Sequence, residues 1–480
     1  MKRTVYRLLP LVFWALLLTA CSPSDQKTTH AYFESHKSNS DELQMFFHRL
    51  PKGGELHHHA IGSVFAEELI EVALDNGLVI NPNTFVVYQS EEQALSQFIP
   101  DSETIPLVVF LNQSPENTDR IIDAWSMRNY TSENRNGHDW FFASFFKFKE
   151  AFFADIPRCL SYLTKRAKDE SVLYLETMIN VPELNERALD LGFHLNTDSS
   201  KNLTEQFDEW YKQLIDSGME ALALENIDSL AAYLDRTYVP SDVHLNFMAY
   251  GLRIYPRLED VFTETMFNFI SANRYDRLVG VNFVAPEDNP VALEFYREHM
   301  AIFKYFYKKF PDVNISLHAG ELTEDLLPEG QKNHIQFHIK AAIDAGAKRI
   351  GHAYDLFHED NYNDLLDTME KRGIAVEINL VSNEVILNSK EHPLSTYFQN
   401  NVPVCLSTDD AGILRTSLAA QYAKIMQYME NLNYDQIKTI AYNSIIYSFA
   451  PQEQKEMMLN DLDYAFKRFE EEVATDGSSW

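Results

Sequence analysis

Eight short β-rich runs recur along the sequence, most of them separated by stretches with apolar residues at helical spacing. They fall at 54–60 (GELHHHA), 171–178 (SVLYLETM), 243–250 (VHLNFMAY), 279–285 (VGVNFVA), 314–319 (NISLHA), 349–353 (RIGHA), 374–380 (IAVEINL) and 402–408 (VPVCLST). Between them lie segments such as 293–309 and 332–346, the second ending in a C-cap glycine. Strand–helix alternation carried to eight strands is the pattern of a (β/α)8 TIM barrel. The gap between the first two strands is about 110 residues, too long for one loop, so it predicts a large helical insertion after the first strand. Two separate α/β domains fit the length as well, but no Pro/Gly/Ser linker divides the body. The chain is therefore read as one domain over 41–480.

In a barrel, chemistry gathers where the strands end. The first strand ends in His57-His58-His59, the fifth in His318-Ala-Gly-Glu321, the sixth in His352 and the eighth in Asp409-Asp410. Side chains in a strand alternate faces, so His57 and His59 share the inner face and His58 points outward. With His318 and Asp409 the pair becomes three imidazoles and one carboxylate, a set suited to one Zn²⁺ per chain with a position left for water. Glu321 follows His318 past an Ala-Gly turn, where Gly320 lets the backbone approach a ligand closely. A carboxylic acid there could protonate a ring nitrogen while a nucleophile adds to carbon; the plain alternative is a solvated loop glutamate. His352 could hold or deprotonate the attacking water. Asp410 must face away from Asp409, toward a substrate donor or a supporting histidine.

Other features read more simply. His334 and His338 stand four apart on a predicted helix with no ligand-rich strand end beside them, and His358 and His392 read as loop residues. The run Trp140–Phe148 reads as core of the inserted helices or as an aromatic wall over a planar substrate. Met458, Leu462, Phe466 and Phe469 mark a terminal packing helix.

The formal charge of −30 argues against a nucleic-acid partner, which needs clustered Lys and Arg. Residues 1–21 read as a targeting signal: Lys2, Arg3 and Arg7 precede an apolar run that ends in Leu18-Thr19-Ala20-Cys21. That quartet resembles the bacterial lipobox, which implies a lipid anchor on Cys21 and a cell-envelope lipoprotein. Ser22 after the cysteine implies the outer membrane. Residues 22–40 are polar, lack periodicity and read as a flexible tether. Cys159 and Cys405 form no disulfide framework.

The pieces LPKGGELHHH, SLHAGE, RIGHAYDL, EINLVSN and LSTDDAG, in that order, resemble the adenosine deaminase family of the amidohydrolase superfamily. The resemblance runs from about Leu50 to about Pro451 and is nearest the secreted, growth-factor-related class. It implies hydrolytic deamination of adenosine or a related aminopurine nucleoside, with zinc on His57, His59, His318 and Asp409. It further implies Glu321 as proton donor to purine N1, His352 orienting the water and Asp410 at N7. The family's base-contacting glycine corresponds to Ala285. The acidic residue usual after HxH is replaced by Ala60-Ile61, the Pro after the paired aspartates by Ala411, and the Cys-Pro before Ser-Asn by Asn379-Leu380. An amidohydrolase with another substrate, or a catalytically silent nucleoside-binding barrel, are the competing expectations. The H-x-E and P-C-x-x-C pattern of cytidine-type deaminases is absent.

Overall fold

The computed structural model describes residues 23–37, 40–96, 103–133, 136–429 and 431–476. The eight expected runs form β1 (Gly53–His59), β2 (Val172–Met178), β3 (His244–Leu252), β4 (Leu278–Val284), β5 (Asn314–Ala319), β6 (Arg349–His352), β7 (Ala375–Ile378) and β8 (Val404–Leu406). Each pairs in parallel with the next in chain order, which is the ladder of a (β/α)8 barrel. With helices outside and side chains filling the interior, the strands are buried on both faces and read as nearly continuous apolar runs.

The seam between β8 and β1 is closed just beyond the ladder. His58 and Asp409 form a parallel bridge, with the His59 N–H on the Asp409 carbonyl at 2.9 Å. Below it the Ser407 hydroxyl accepts the His57 N–H at 3.1 Å, and Glu55 accepts the Thr408 N–H at 2.8 Å. The residues that close the barrel are thus the ones expected to carry its chemistry.

The insertion between β1 and β2 holds the expected helices, including Gly137–Ala154 and Ile156–Asp169. It also holds a small antiparallel sheet of 79–80, 87–88 and 105–106, whose two-residue strands are too short to show periodicity. In the aromatic run Phe141 and Phe148 are buried, whereas Phe146 is exposed on the same helix. The segment 332–346 is not one helix. It is a 3-10 turn over Lys332–Gln336 and a helix over His338–Ala345, broken where Phe337 adopts φ −151°.

Residues 23–36, read as tether, form helix α1 (Pro23–His36), followed by α2 (Ser40–Arg49). Phe33 is buried against Phe46, which in turn packs edge-on to Phe469 of the helix Gln452–Asp476. Tyr32 and Phe33, adjacent aromatics among polar residues, leave no periodic signal, yet both rings meet Phe46 and Thr29 is buried beside them. In that terminal helix Met458, Leu462, Phe466 and Phe469 are buried as their spacing implied. Cys21 and the targeting signal lie outside the described residues. Among the described residues no helix is long and apolar enough to cross a membrane, and Cys159 and Cys405 are buried free thiols.

Candidate active site

His57 and His59 point into the barrel mouth, and His58 points outward, where its Nδ1 meets Thr177 Oγ1 at 2.8 Å and it borders a small cavity with Leu163 and Arg166. Burial, aided by Arg166, pushes the His58 pKa down to about 3, so it is a neutral packing residue. Asp409 Oδ1 lies 3.3 Å from His57 Nε2 and 3.2 Å from His59 Nε2, and His59 Nε2 lies 3.2 Å from His318 Nε2. One donor atom from each of His57, His59, His318 and Asp409 falls within 4.8 Å of all the others.

The outer sides of these rings decide what their inner sides can do. His57 Nδ1 donates to Glu377 Oε2 at 2.7 Å, and His318 Nδ1 donates to Asn282 Oδ1 at 2.9 Å. In the neutral form, which a bound cation requires, an imidazole protonated at Nδ1 presents the Nε2 lone pair inward. Without a cation, burial lowers the His57 pKa, but Asp409 and Glu377 overcome this and raise it to about 9. His57 Nε2 is buried without a hydrogen-bond partner. Convergent ring nitrogens and a carboxylate, one atom from each residue within reach of a common point, fit a cation at their centre. Asp409 is steadied by the Ser382 hydroxyl, which donates to Oδ2 at 2.6 Å. Glu377 is anchored by Arg349 and by Ser316, 2.9 Å away. Burial raises its pKa, but Arg349 and His57 overcome this and hold it down at about 2.

Beside this cluster stand Glu321, His352 and Asp410. Glu321 Oε1 is 3.2 Å from His352 Nδ1, and it too is buried without a hydrogen-bond partner. Burial, together with Asp409 and Glu287, raises the Glu321 pKa well above the carboxylate range, which favours the protonated carboxyl. Burial takes His352 down to about 3 and keeps it neutral. Its ring is held by Asn383 Nδ2 at 3.0 Å, and Nε2 is left without a partner. Burial, Asp409 and Glu321 likewise raise Asp410, whose Oδ1 is unpartnered, so it can donate a hydrogen bond.

The backbone at these strand ends is strained. His352 (φ +66°) and Asp409 (φ +64°) occupy the left-handed region, which costs a non-glycine residue about 1–3 kcal/mol and is kept where surrounding bonds over-determine it. Ala285, at the family's glycine position, has φ +82°, which is why glycine suits that position better. In the Arg349-Ile-Gly-His352 stretch, a Cβ on Gly351 would lie 2.6 Å from the His57 ring, so only glycine leaves room for the ligand. Gly320, expected to let the backbone approach a ligand closely, has its N–H taken by Glu287 at 3.1 Å and its carbonyl by Tyr354 and Asp355, so a ligand would meet it at its Cα surface.

Sequence reading assigned no role to the supporting partners Glu377, Ser382 and Asn383, although all three lie in the quoted EINLVSN motif, nor to Asn282, a single polar residue in β4. It also missed that a carboxylate adjoins His338: Glu287 Oε1 lies 2.6 Å from His338 Nδ1. Ala60 is fully buried and Ile61 partly so, and neither offers a polar group to a ribose.

Fold and site together define a (β/α)8 barrel with a three-histidine, one-aspartate cluster at its C-terminal mouth. Residues 249–465 match the family model described as Adenosine deaminase. The match takes in His318, Glu321, His352, Asp409 and Asp410, and it leaves His57 and His59 outside. An adenosine deaminase of Aedes albopictus is 30% identical over 149 residues, 30% of this chain and 26% of that protein. One of Phlebotomus duboscqi is 28% identical over 212 residues, 42% of this chain and 37% of that protein. The chain thus spans well under half the length of these relatives. Among solved structures, the N6-methyl-AMP deaminase of Arabidopsis thaliana superposes with a TM-score of 0.54 over 88% of this chain and 98% of its own. At 18% identity that likeness speaks for the fold alone.

Proposed function

We propose that the protein is a zinc-dependent hydrolytic deaminase, of the growth-factor-related class of the adenosine deaminase family, that converts adenosine or a related aminopurine nucleoside to the inosine-type product and ammonia. The observation that carries this reading is the buried Glu321 carboxyl, its Oε1 without a hydrogen-bond partner, beside His352 and the His/Asp cluster. His57, His59, His318 and Asp409 would hold the zinc, which when bound supplies a Lewis acid that makes water nucleophilic near neutral pH. Glu321 gives its proton to the ring nitrogen next to the carbon under attack, so that negative charge does not build on the ring. His352, neutral and held by Asn383, orients the attacking water. Asp410, protonated, donates to the second ring's acceptor nitrogen and sets the purine's orientation.

Replacement of the usual carboxylate by Ala60-Ile61 supports a second reading, in which the preferred substrate differs from adenosine at the sugar. Ammonia release from the zinc-loaded protein, compared across adenosine, deoxyadenosine, adenine, AMP and methylthioadenosine, separates the two. Turnover of none of them would reject deamination of this class. We also propose that Cys21 carries a lipid anchor, on the strength of the basic start, the apolar run and Leu-Thr-Ala-Cys. Wild type should partition into detergent and Cys21→Ser should not; equal aqueous partition would reject the anchor and with it the envelope location.

A further inference from the structure

Glu287, three residues beyond the end of β4, is buried at 2% exposure and touches neither the His/Asp cluster nor the Glu321 carboxyl by a hydrogen bond. Its two oxygens reach into the turn after His318. Oε1 accepts the Gly320 N–H at 3.1 Å and Oε2 accepts the Glu321 N–H at 2.8 Å. From the other side His338 Nδ1 donates to Oε1 at 2.6 Å, and the His338 ring stacks on Tyr296 at 3.4 Å with parallel planes. The Tyr296 hydroxyl donates to the His338 carbonyl at 2.9 Å. Arg253, which donates to the Phe283 and His318 carbonyls, brings Nη1 within 3.9 Å of Glu287 Oε2.

We propose that Glu287 is a positioning residue for proton transfer: it clamps the successive N–H groups of Gly320 and Glu321 and so fixes where the Glu321 carboxyl meets the substrate ring. The proposal rests on the reading of Glu321 as the proton donor. The Glu321 carboxyl has an oxygen without any hydrogen-bond partner, so no bond to that oxygen sets its place and the backbone must help to do so. The Tyr354 and Asp355 N–H groups hold the Gly320 carbonyl, and the Glu287 carboxylate holds the two N–H groups on the other side of the turn, whose Gly320 adopts φ +78°. Two adjacent donors aimed the same way need two acceptors. A carboxylate has two, whereas a glutamine amide has one acceptor and one donor. Burial alone would raise the Glu287 pKa, but His338 and Arg253 hold it down at about 2, so both oxygens are acceptors at neutral pH.

The test uses the zinc-loaded full chain as wild type, Glu287→Gln and Glu321→Gln, with adenosine as substrate. Two probes report binding without turnover. Purine riboside hydrates at C6 and presents the protonated N1 of the transition state, and 1-deazaadenosine has carbon in place of N1 and cannot use Glu321. In Glu287→Gln the clamp is half broken, and a misplacement of about 1 Å at a reacting group can cost on the order of 100-fold. The expected result is a kcat loss of about 10- to 100-fold with KM within about threefold. Purine riboside affinity should fall by a similar factor while 1-deazaadenosine affinity and zinc content hold. Wild-type kcat and purine riboside affinity in Glu287→Gln, with Glu321→Gln inactive, would overturn the clamp and leave the donor role intact. Equal loss of both probes would also overturn it, as general distortion. Wild-type turnover by Glu321→Gln would remove the donor and the clamp together. Should Glu287→Gln not fold, His338→Gln, which removes the ring that orients Glu287, is measured against the same outcomes.

Discussion

Residue by residue, the site is a division of labour set by burial. The pKa values of Glu321 and Asp410 are raised by desolvation and by neighbouring carboxylates, whereas that of Glu377 is held down at about 2 by Arg349 and His57. Identical chemistry is thus tuned in opposite directions within one barrel mouth. Glu321→Gln should keep metal and fold while kcat falls by about 10²–10⁴, since it removes a general acid and no ligand. A turnover near wild type would reject the role. The alternating faces of β1 make a second, independent prediction. His57→Ala or His59→Ala should lose most of the bound zinc by elemental analysis of dialysed protein, and His58→Ala should keep it. Zinc loss in His58→Ala would mean that the strand enters the site in the other register.

Among the elements, α1 departs furthest from sequence expectation. Its composition is that of a tether, but Phe33 is 1% exposed and Gln26 Nε2 bonds Asp435 Oδ1 at 3.1 Å, 409 residues along the chain. The helix is held by the far end of the protein, so nothing local announces it. Phe33→Ala should destabilise the fold by about 3 kcal/mol if the site cannot collapse, as for other buried Phe truncations. Deletion of residues 22–37 should lower the urea midpoint in the same direction, and an unchanged midpoint would show α1 to be an appendage. The strands, by contrast, were legible almost to the residue, because parallel barrel strands buried on both faces stand out as short β-branched runs. The break at Phe337 was not legible, because apolar spacing continues through it.

For the whole molecule, buried titrating groups set a window of stability. Glu55, Glu264 and Glu359 are raised by burial from the usual 4.5 to about 7, so their contribution is full below about pH 4.5 and is lost as pH rises through about 7. His58, His299 and His392 are lowered by burial from 6.5 to about 3, so their contribution is full above about pH 6.5 and is lost as pH falls toward 3. Between about 4.5 and 6.5 the two sets oppose each other. Below about 4.5 the carboxyls no longer compensate, and Glu287, held at about 2, joins the histidines in losing its contribution. The urea midpoint should therefore change little from pH 5 to 6.5 and fall steeply below about 4.5. A steady rise in midpoint down to pH 3 would contradict the burial of these histidines.

The order of strands, the inward pair His57 and His59, and the polar strand ends at His318, Glu321, His352 and Asp409 were determined by the sequence itself. Period-two alternation and strand-end position are local properties, and they survive whatever packs around them. What only the tertiary structure decided is how those groups are held. Glu377, Asn282, Ser382 and Glu287 reach their partners from other strands and loops, and α1 finds its core in the C-terminal helix. In each case the partner is far along the chain and is chosen by how the elements pack, not by spacing in the sequence.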